Sequence, residues 1–245
     1  MNDSMIEAAT EKIPARPLYD FYIEIPPTYD LSNHILTWGL HRRWRRAAAR
    51  ECIAARPGKM LDLCCGTGDL TVDIFRQAGY GIDITGFDYS KPMLDIAARK
   101  TASPGKKPTL VRGYADALPF ADNYFDCVGI SFAFRNLTYR NPLAQANIAE
   151  VFRVLAPGGK FVIVETSQPR SRFIRKLFHL YLRRWVRPIG SMVSGNQMAY
   201  RYLAESAARY YDAEYLKQML LTAGFSRVSA RPFLFGAISL HVAVK

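Results

Sequence analysis

The 245 residues are enough for one α/β domain with additions and a sizeable buried core. An apolar share of 49% beside 22% charged residues is a globular composition, not a disordered one. No apolar run approaches the eighteen or so residues of a membrane span, and 33 Lys and Arg against 21 Asp and Glu leave a net charge of +12, which points to a polyanionic partner or an anionic membrane surface.

In chain order, residues 1–28 read as a flexible tail. Asp3, Glu7 and Glu11 and the lack of an apolar segment argue against a signal or transit peptide. Helical pattern fills 32–55, with its clearest stretch over Leu40 to Ala55. Met60 to Cys64 is a short strand, Gly68 to Gln77 a helix and Ile82 to Phe87 a second strand. Ser90 is placed as the N-cap, and Pro92 in the first turn, of a helix running to about Lys100. Thr109 to Gly113 and Phe125 to Ser131 are strands three and four. Asn141 to Leu155 is a helix closed by Ala156-Pro157-Gly158-Gly159. Lys160 to Glu165 is strand five, whose run Phe161-Val162-Ile163-Val164 suits burial on both faces. This alternation predicts a doubly wound, mostly parallel α/β sheet.

Beyond Pro169 the pattern becomes helical, an insertion over 170–210 with helices at Arg172 to Arg187 and Met198 to Arg209. Asp212 to Ala223 is a further helix. Ser226 to Leu234 and Ala237 to Val244 predict a C-terminal antiparallel hairpin at the sheet edge. The four cysteines (Cys52, Cys64, Cys65, Cys127) form no CxxC pair, so no metal site is expected, and reduced thiols in a cytoplasmic protein are.

The chemistry concentrates at Leu61-Asp62-Leu63-Cys64-Cys65-Gly66-Thr67-Gly68-Asp69-Leu70. A strand feeds a Gly-x-Gly turn that opens a helix, and such a turn lets a ligand approach the backbone. Asp88 follows twenty residues after Gly68, at the end of strand two, where an acid holds ribose hydroxyls. Two cofactor classes fit this pattern. A dinucleotide wants a third glycine where Thr71 stands, and acidic Asp62 and Asp69 suit a cationic amine better than a pyrophosphate. S-adenosylmethionine has that amine. Asp116, in Tyr114-Ala115-Asp116-Ala117-Leu118-Pro119-Phe120 after strand three, is placed to accept from an adenine amino group.

The chain resembles the ubiquinone/menaquinone biosynthesis C-methyltransferase family, from about Tyr29 to the C-terminus. The likeness is carried by Tyr29-Asp30-Leu31-Ser32-Asn33, Gly39-Leu40-His41-Arg42-Arg43-Trp44 and the glycine turn. It is also carried by Ala117-Leu118-Pro119-Phe120, Ser131-Phe132-Ala133-Phe134-Arg135-Asn136 and Tyr200-Arg201-Tyr202-Leu203-Ala204-Glu205-Ser206. The glycine turn is common to many methyltransferases, whereas the Arg-Asn pair and the Tyr200 to Ser206 motif are specific. The resemblance implies a class I methyltransferase domain over 29–245, with S-adenosylmethionine contacts at Thr67, Asp88, Tyr114, Ala115 and Ser131. It also implies methylation of a ring carbon on a polyprenylated quinol precursor. Demethylmenaquinol is favoured over the ubiquinone-pathway benzoquinol, from an N-terminus of prokaryotic appearance. Tyr114 stands where the family usually carries Asn, and Phe132-Ala133-Phe134 replaces Phe-Gly-Leu.

A carbon nucleophile needs a deprotonated ring hydroxyl. Arginine keeps its proton, so Arg135 is assigned to the developing phenolate oxygen with Asn136 as second donor. His41 is the candidate proton acceptor and Tyr200 a relay. The charge lies in two segments: Leu31 to Arg50 has five Arg and no carboxylate, and Thr166 to Ala204 has eight Lys or Arg and none. The 172–187 helix, amphipathic and basic, either rests on an anionic membrane surface at the inner face of the cell membrane or packs its apolar stripe on the domain. A second copy of the chain is a further candidate partner. The alternatives are a methyltransferase of another phenolic small molecule and a silent cofactor-binding subunit of a quinone-pathway complex. A nucleic-acid enzyme is disfavoured, because Ser131-Phe132-Ala133-Phe134 replaces the Asn/Asp-Pro-Pro-aromatic turn.

Overall fold

A computed structural model describes residues 5–7, 26–54, 56–102 and 107–245. Within the stretch expected as a tail, Met5–Glu7 form an edge strand, β1, and Pro26–Leu36 form helix α1. Residues 1–4 and 8–25 lie outside the described residues. The chain continues through α2 (Leu40–Ala54), β2 (Lys59–Leu63), α3 (Asp69–Ala78), β3 (Asp83–Asp88), α4 (Lys91–Lys100), β4 (Thr109–Arg112) and β5 (Phe125–Ser131). It then forms α5 (Phe134–Thr138), α6 (Ala144–Val154), β6 (Leu155–Thr166), α7 (Arg172–Tyr181), α8 (Arg187–Ser194), α9 (Gln197–Arg209), α10 (Ala213–Thr222), β7 (Arg227–Phe233) and β8 (Ile238–Val244).

The eight strands make one sheet in the order β1-β4-β3-β2-β5-β6-β8-β7. Pairing is parallel from β1 to β6 and antiparallel where β8 joins β6 and β7 joins β8. Strand order reverses beside β2, so a crevice opens at the carboxyl ends of β2 and β5, where such sheets bind ligands.

Alternation along the strands builds two cores. Leu61, Leu63, Val128, Ile130, Phe161 and Ile163 face α6 and α10. Met60, Cys127, Val162 and Val164 face α2 and α3, against Trp44, Ala48, Cys52 and Ile74. Helices on both faces explain why these strands carry apolar runs instead of a one-sided pattern. A third cluster joins Leu36 of α1 to Leu182, Val186, Tyr200, Ala204 and Ala207 of the helical insertion. That insertion is therefore a cap resting on α1.

Several local expectations are corrected. Strand β6 begins at Leu155, not Lys160: its register against β5 shifts between Phe125 and Cys127, and left-handed Gly158 turns the expected terminator into an irregularity within the strand. Helix α6 starts at Ala144, because Asn141 accepts from the Leu143 N–H (2.9 Å) in a turn that precedes it. Ser90 sits at the N-cap of α4 but its side chain makes no capping hydrogen bond. The helix expected over 172–187 continues to Ser194 through a π-turn at Leu182–Val186. Pro188 follows that turn and has no N–H for the ordinary ladder, which the wider turn accommodates.

Candidate active site

A cavity of about 640 Å³ opens over the carboxyl ends of the central strands and runs beneath the cap. Its floor at one end is the glycine turn. Cys64 leaves β2 left-handed (φ 53°), and Gly66 and Gly68 follow with φ of 54° and 78°. The two glycines serve different ends. A Cβ on Gly66, which lines the cavity, would meet nothing within 4 Å. A Cβ on Gly68 would lie 3.0 Å from Ala97 Cβ and 3.2 Å from its Cα, so this glycine lets α3 and α4 pack. Gly68 is not among the residues that line the cavity.

The acids around the turn are held by the fold. Asp62 Oδ2 accepts from the Thr71 N–H (3.0 Å) and hydroxyl (2.6 Å), tying β2 to α3. Burial outweighs those bonds and pushes its pKa up to about 7. Asp88 Oδ2 accepts from Gly66 N–H and Oδ1 from Ser90 N–H, both at 2.9 Å, and burial raises its pKa to about 6. The Tyr89 N–H also bonds this carboxylate, so three of its acceptor sites are taken within the fold and about one remains for a ligand hydroxyl. For Asp69, burial opposes ionisation, but the Arg45 charge (2.8 Å) and the Lys100 hydrogen bond (2.8 Å) prevail and hold its pKa below the usual range.

Helix α1 reaches this network. Thr67 donates to Asp30 Oδ1 (2.9 Å), and Lys100 bonds both Thr67 Oγ1 and Asp30. No local pattern in the sequence marks Asp30, Arg45 or Lys100, because their contacts span 37, 28 and 70 positions. Beyond the turn, Tyr114 stacks on Tyr89 (centroids 6.0 Å apart, 14° between planes), and Ala115 completes that wall. Asp116 lies half-buried on the next turn and does not line the cavity.

Strand β5 ends at Ser131, which lines the cavity, and Phe132 turns the chain left-handed (φ 58°) into α5. A bulky residue in that region stores strain, a feature that concentrates at functional sites. The turn brings Arg135 and Asn136 to the cavity wall. Arg135 is only 2% exposed; its Nη1 donates to Thr166 Oγ1 (3.0 Å) and lies 3.7 Å from Glu165 Oε1. Its Nε is buried and meets no acceptor, one donor still to be satisfied. Glu165 was legible as the charge that ends an apolar strand, and it also accepts from the Arg135 N–H (3.0 Å). Tyr200 and Tyr202 both line the cavity; burial raises the pKa of each phenol.

His41 lies on the same wall, its ring Nδ1 2.7 Å from Thr37 Oγ1. The Thr37 hydroxyl has one proton, and it goes to the Asn33 carbonyl (2.7 Å). Thr37 must then accept from His41, so Nδ1 carries the proton and Nε2 a bare lone pair. Burial, with help from Arg45, lowers the His41 pKa to about 4, which keeps the ring neutral at physiological pH. The far end of the cavity is apolar, with Leu36, Ile174, Phe178, Tyr181, Leu182 and Leu203. Among the described residues no cluster of His, Cys, Asp and Glu could hold a metal, and no helix is long and apolar enough to cross a membrane.

Residues 10–245 match the profile of the ubiE/COQ5 methyltransferase family. The chain belongs to that family. It is 39% identical over 222 residues to a demethylmenaquinone methyltransferase of Thermus thermophilus, covering 90% of this chain and 98% of that one. It is 38% identical over 220 residues to a ubiquinone/menaquinone biosynthesis C-methyltransferase of Shewanella pealeana, covering 89% and 86%. Among solved structures, an S-adenosylmethionine-dependent methyltransferase from Thermotoga maritima superposes with a TM-score of 0.56 at 18% identity, over 87% of this chain and 95% of that one. Human N-acetylserotonin methyltransferase, solved with S-adenosylmethionine, gives 0.61 at 16%, over 95% of this chain and 60% of that one. These distant likenesses carry the fold, and the α/β sheet read from the sequence is that of a methyltransferase.

Proposed function

We propose that the chain methylates a ring carbon of a polyprenylated quinol precursor, with S-adenosylmethionine as donor and demethylmenaquinol as the favoured acceptor. One observation carries the reading: a single cavity joins the glycine turn to an apolar channel, and Arg135 lines it. The names of the two relatives support the acceptor class. The turn fits the donor. The open face of Gly66, the Asp88 carboxylate at the cavity wall and the Tyr89–Tyr114 wall suit an adenosine and an amino acid head, with Thr67, Ala115 and Ser131 beside them. When bound, that group supplies an electrophilic methyl.

The residues of this chain do the rest. Arg135 holds the ring oxygen as it becomes a phenolate, using a desolvated charge already in place, and Asn136 is a second donor. His41 Nε2 is the proton acceptor, and Tyr200, which burial keeps protonated, relays the proton. The apolar end takes the prenyl chain and excludes water from the reacting pair. Transfer of labelled methyl from S-adenosylmethionine to short-chain demethylmenaquinol, a demethylated benzoquinol and simple phenols tests the reading. Product from the quinols alone is expected. Methylation of simple phenols with neither quinol turned over would overturn it.

A further inference from the structure

Outside the cavity, α2 and β7 enclose a second groove of about 570 Å³. Helix spacing places Arg43, Arg46 and Arg50 on one face of α2, and Arg231 closes the groove from β7. All four are exposed, over a floor that includes Trp44, Ala47 and Phe233. Two carboxylates face them: Asp73 lies 3.6 Å from Arg46, and Glu51 3.9 Å from Arg231. Arg43 and Arg50 have no ion pair among the described residues, so the groove keeps a surplus of positive charge.

The groove adjoins the mouth of the cavity, since Leu40, Trp44 and Leu234 line both. At that mouth Leu234 and Phe235 form the tip of the β7–β8 hairpin. They are 46% and 77% exposed, and their φ values of 45° and 55° put two successive bulky residues in the left-handed region. Trp38, 71% exposed, stacks on Trp185 (5.7 Å, 17°) at the same cavity, whose wall includes Trp38. An arginine groove beside a raised apolar tip matches two chemistries in one ligand: a phosphate for the guanidiniums and acyl chains for the tip. A nucleic acid would satisfy the charge and leave the tip in water.

We propose that the Arg43, Arg46, Arg50 and Arg231 groove binds the phosphate headgroup of an anionic phospholipid, seating the cavity mouth on the membrane with Leu234 and Phe235 inserted. The proposal rests on the reading of the acceptor as a prenylated quinol, which must leave the bilayer to reach Arg135. It is separate from the basic face of α7, and it gives the basic segment Leu31 to Arg50 a use.

Cosedimentation of the full chain with phosphatidylcholine vesicles, and with equimolar phosphatidylcholine and phosphatidylglycerol, tests it. The wild type should favour the anionic vesicles. The double variant Arg43→Gln/Arg50→Gln, at positions without an ion pair, should partition to them about thirty-fold less, as expected for two cations lost at an anionic surface. Its turnover of a soluble short-chain quinol should not change, and Arg43→Lys/Arg50→Lys should restore vesicle binding. Equal partition of double variant and wild type would overturn the proposal, and so would a wild type that ignores both vesicles yet binds a short RNA. If the wild type binds anionic vesicles but turns over no quinol, the functional reading fails instead.

Discussion

The two glycines of the cofactor turn can be separated by experiment. At Gly68, alanine must adopt φ near 78°, which costs roughly 1–2 kcal/mol. Its Cβ also meets the Cβ and Cα of Ala97 at 3.0 and 3.2 Å, and overpacking of that kind adds about 1–3 kcal/mol. For a chain of this size the sum of about 2–5 kcal/mol lowers the melting temperature by roughly 4–20 °C. At Gly66 the backbone cost is similar but the Cβ meets no protein atom. Gly66→Ala should therefore lose only about 1–2 kcal/mol of stability. Its methyl group stands in the cavity, however, and S-adenosylmethionine should bind at least about tenfold weaker, a loss of roughly 1.4 kcal/mol. Thermal melts and calorimetric titration of both variants read the contrast. A Gly66→Ala protein with wild-type affinity, or a Gly68→Ala protein with a wild-type melt, would refute the division of labour.

Arg135→Ala should reduce kcat by about 10²–10³ with cofactor affinity unchanged, the scale of one lost oxyanion donor; a parallel melt is needed because Glu165 is left buried without its partner. His41→Gln should lower kcat about a hundredfold and remove the acid limb of the pH profile below pH 5, read by steady-state kinetics. The folded pKa of Asp62 is raised, so the folded protein binds the extra proton and stability falls as pH rises from about 4 to about 7. Asp62→Asn, which keeps an acceptor for Thr71, should stabilise the ligand-free chain by a few kcal/mol at pH 8, at about 1.4 kcal/mol per pKa unit. That gain should vanish near pH 4 in melts across pH.

The parts legible in the sequence are those written in local pattern. The apolar runs of β2, β5 and β6 mark strands buried on both faces, and Gly66, Asp88, Arg135 and Tyr200 stand where strand ends and motifs place them. The hidden parts depend on tertiary contact or backbone strain. Gly68 looks like a ligand-facing glycine in the pattern, but Ala97 of a later helix gives it a packing role. Nothing near Asp30 announces that it will meet Thr67. The left-handed turns at Phe132, Leu234 and Phe235 use residues that avoid that region, so propensity argues against them.

Helix α1 touches the donor turn, the proposed proton acceptor and the cap. Its Asp30 holds Thr67 of the donor turn, its Asn33 carbonyl orients Thr37 and through it the His41 tautomer, and its Leu36 packs into the cap over the apolar channel. One eleven-residue element thus serves as latch, tautomer clamp and roof support together. Any excursion of α1 that frees the donor turn also loosens the base and the roof. In the proposed reaction the donor turn, the proton acceptor and the roof of the channel thus share one support.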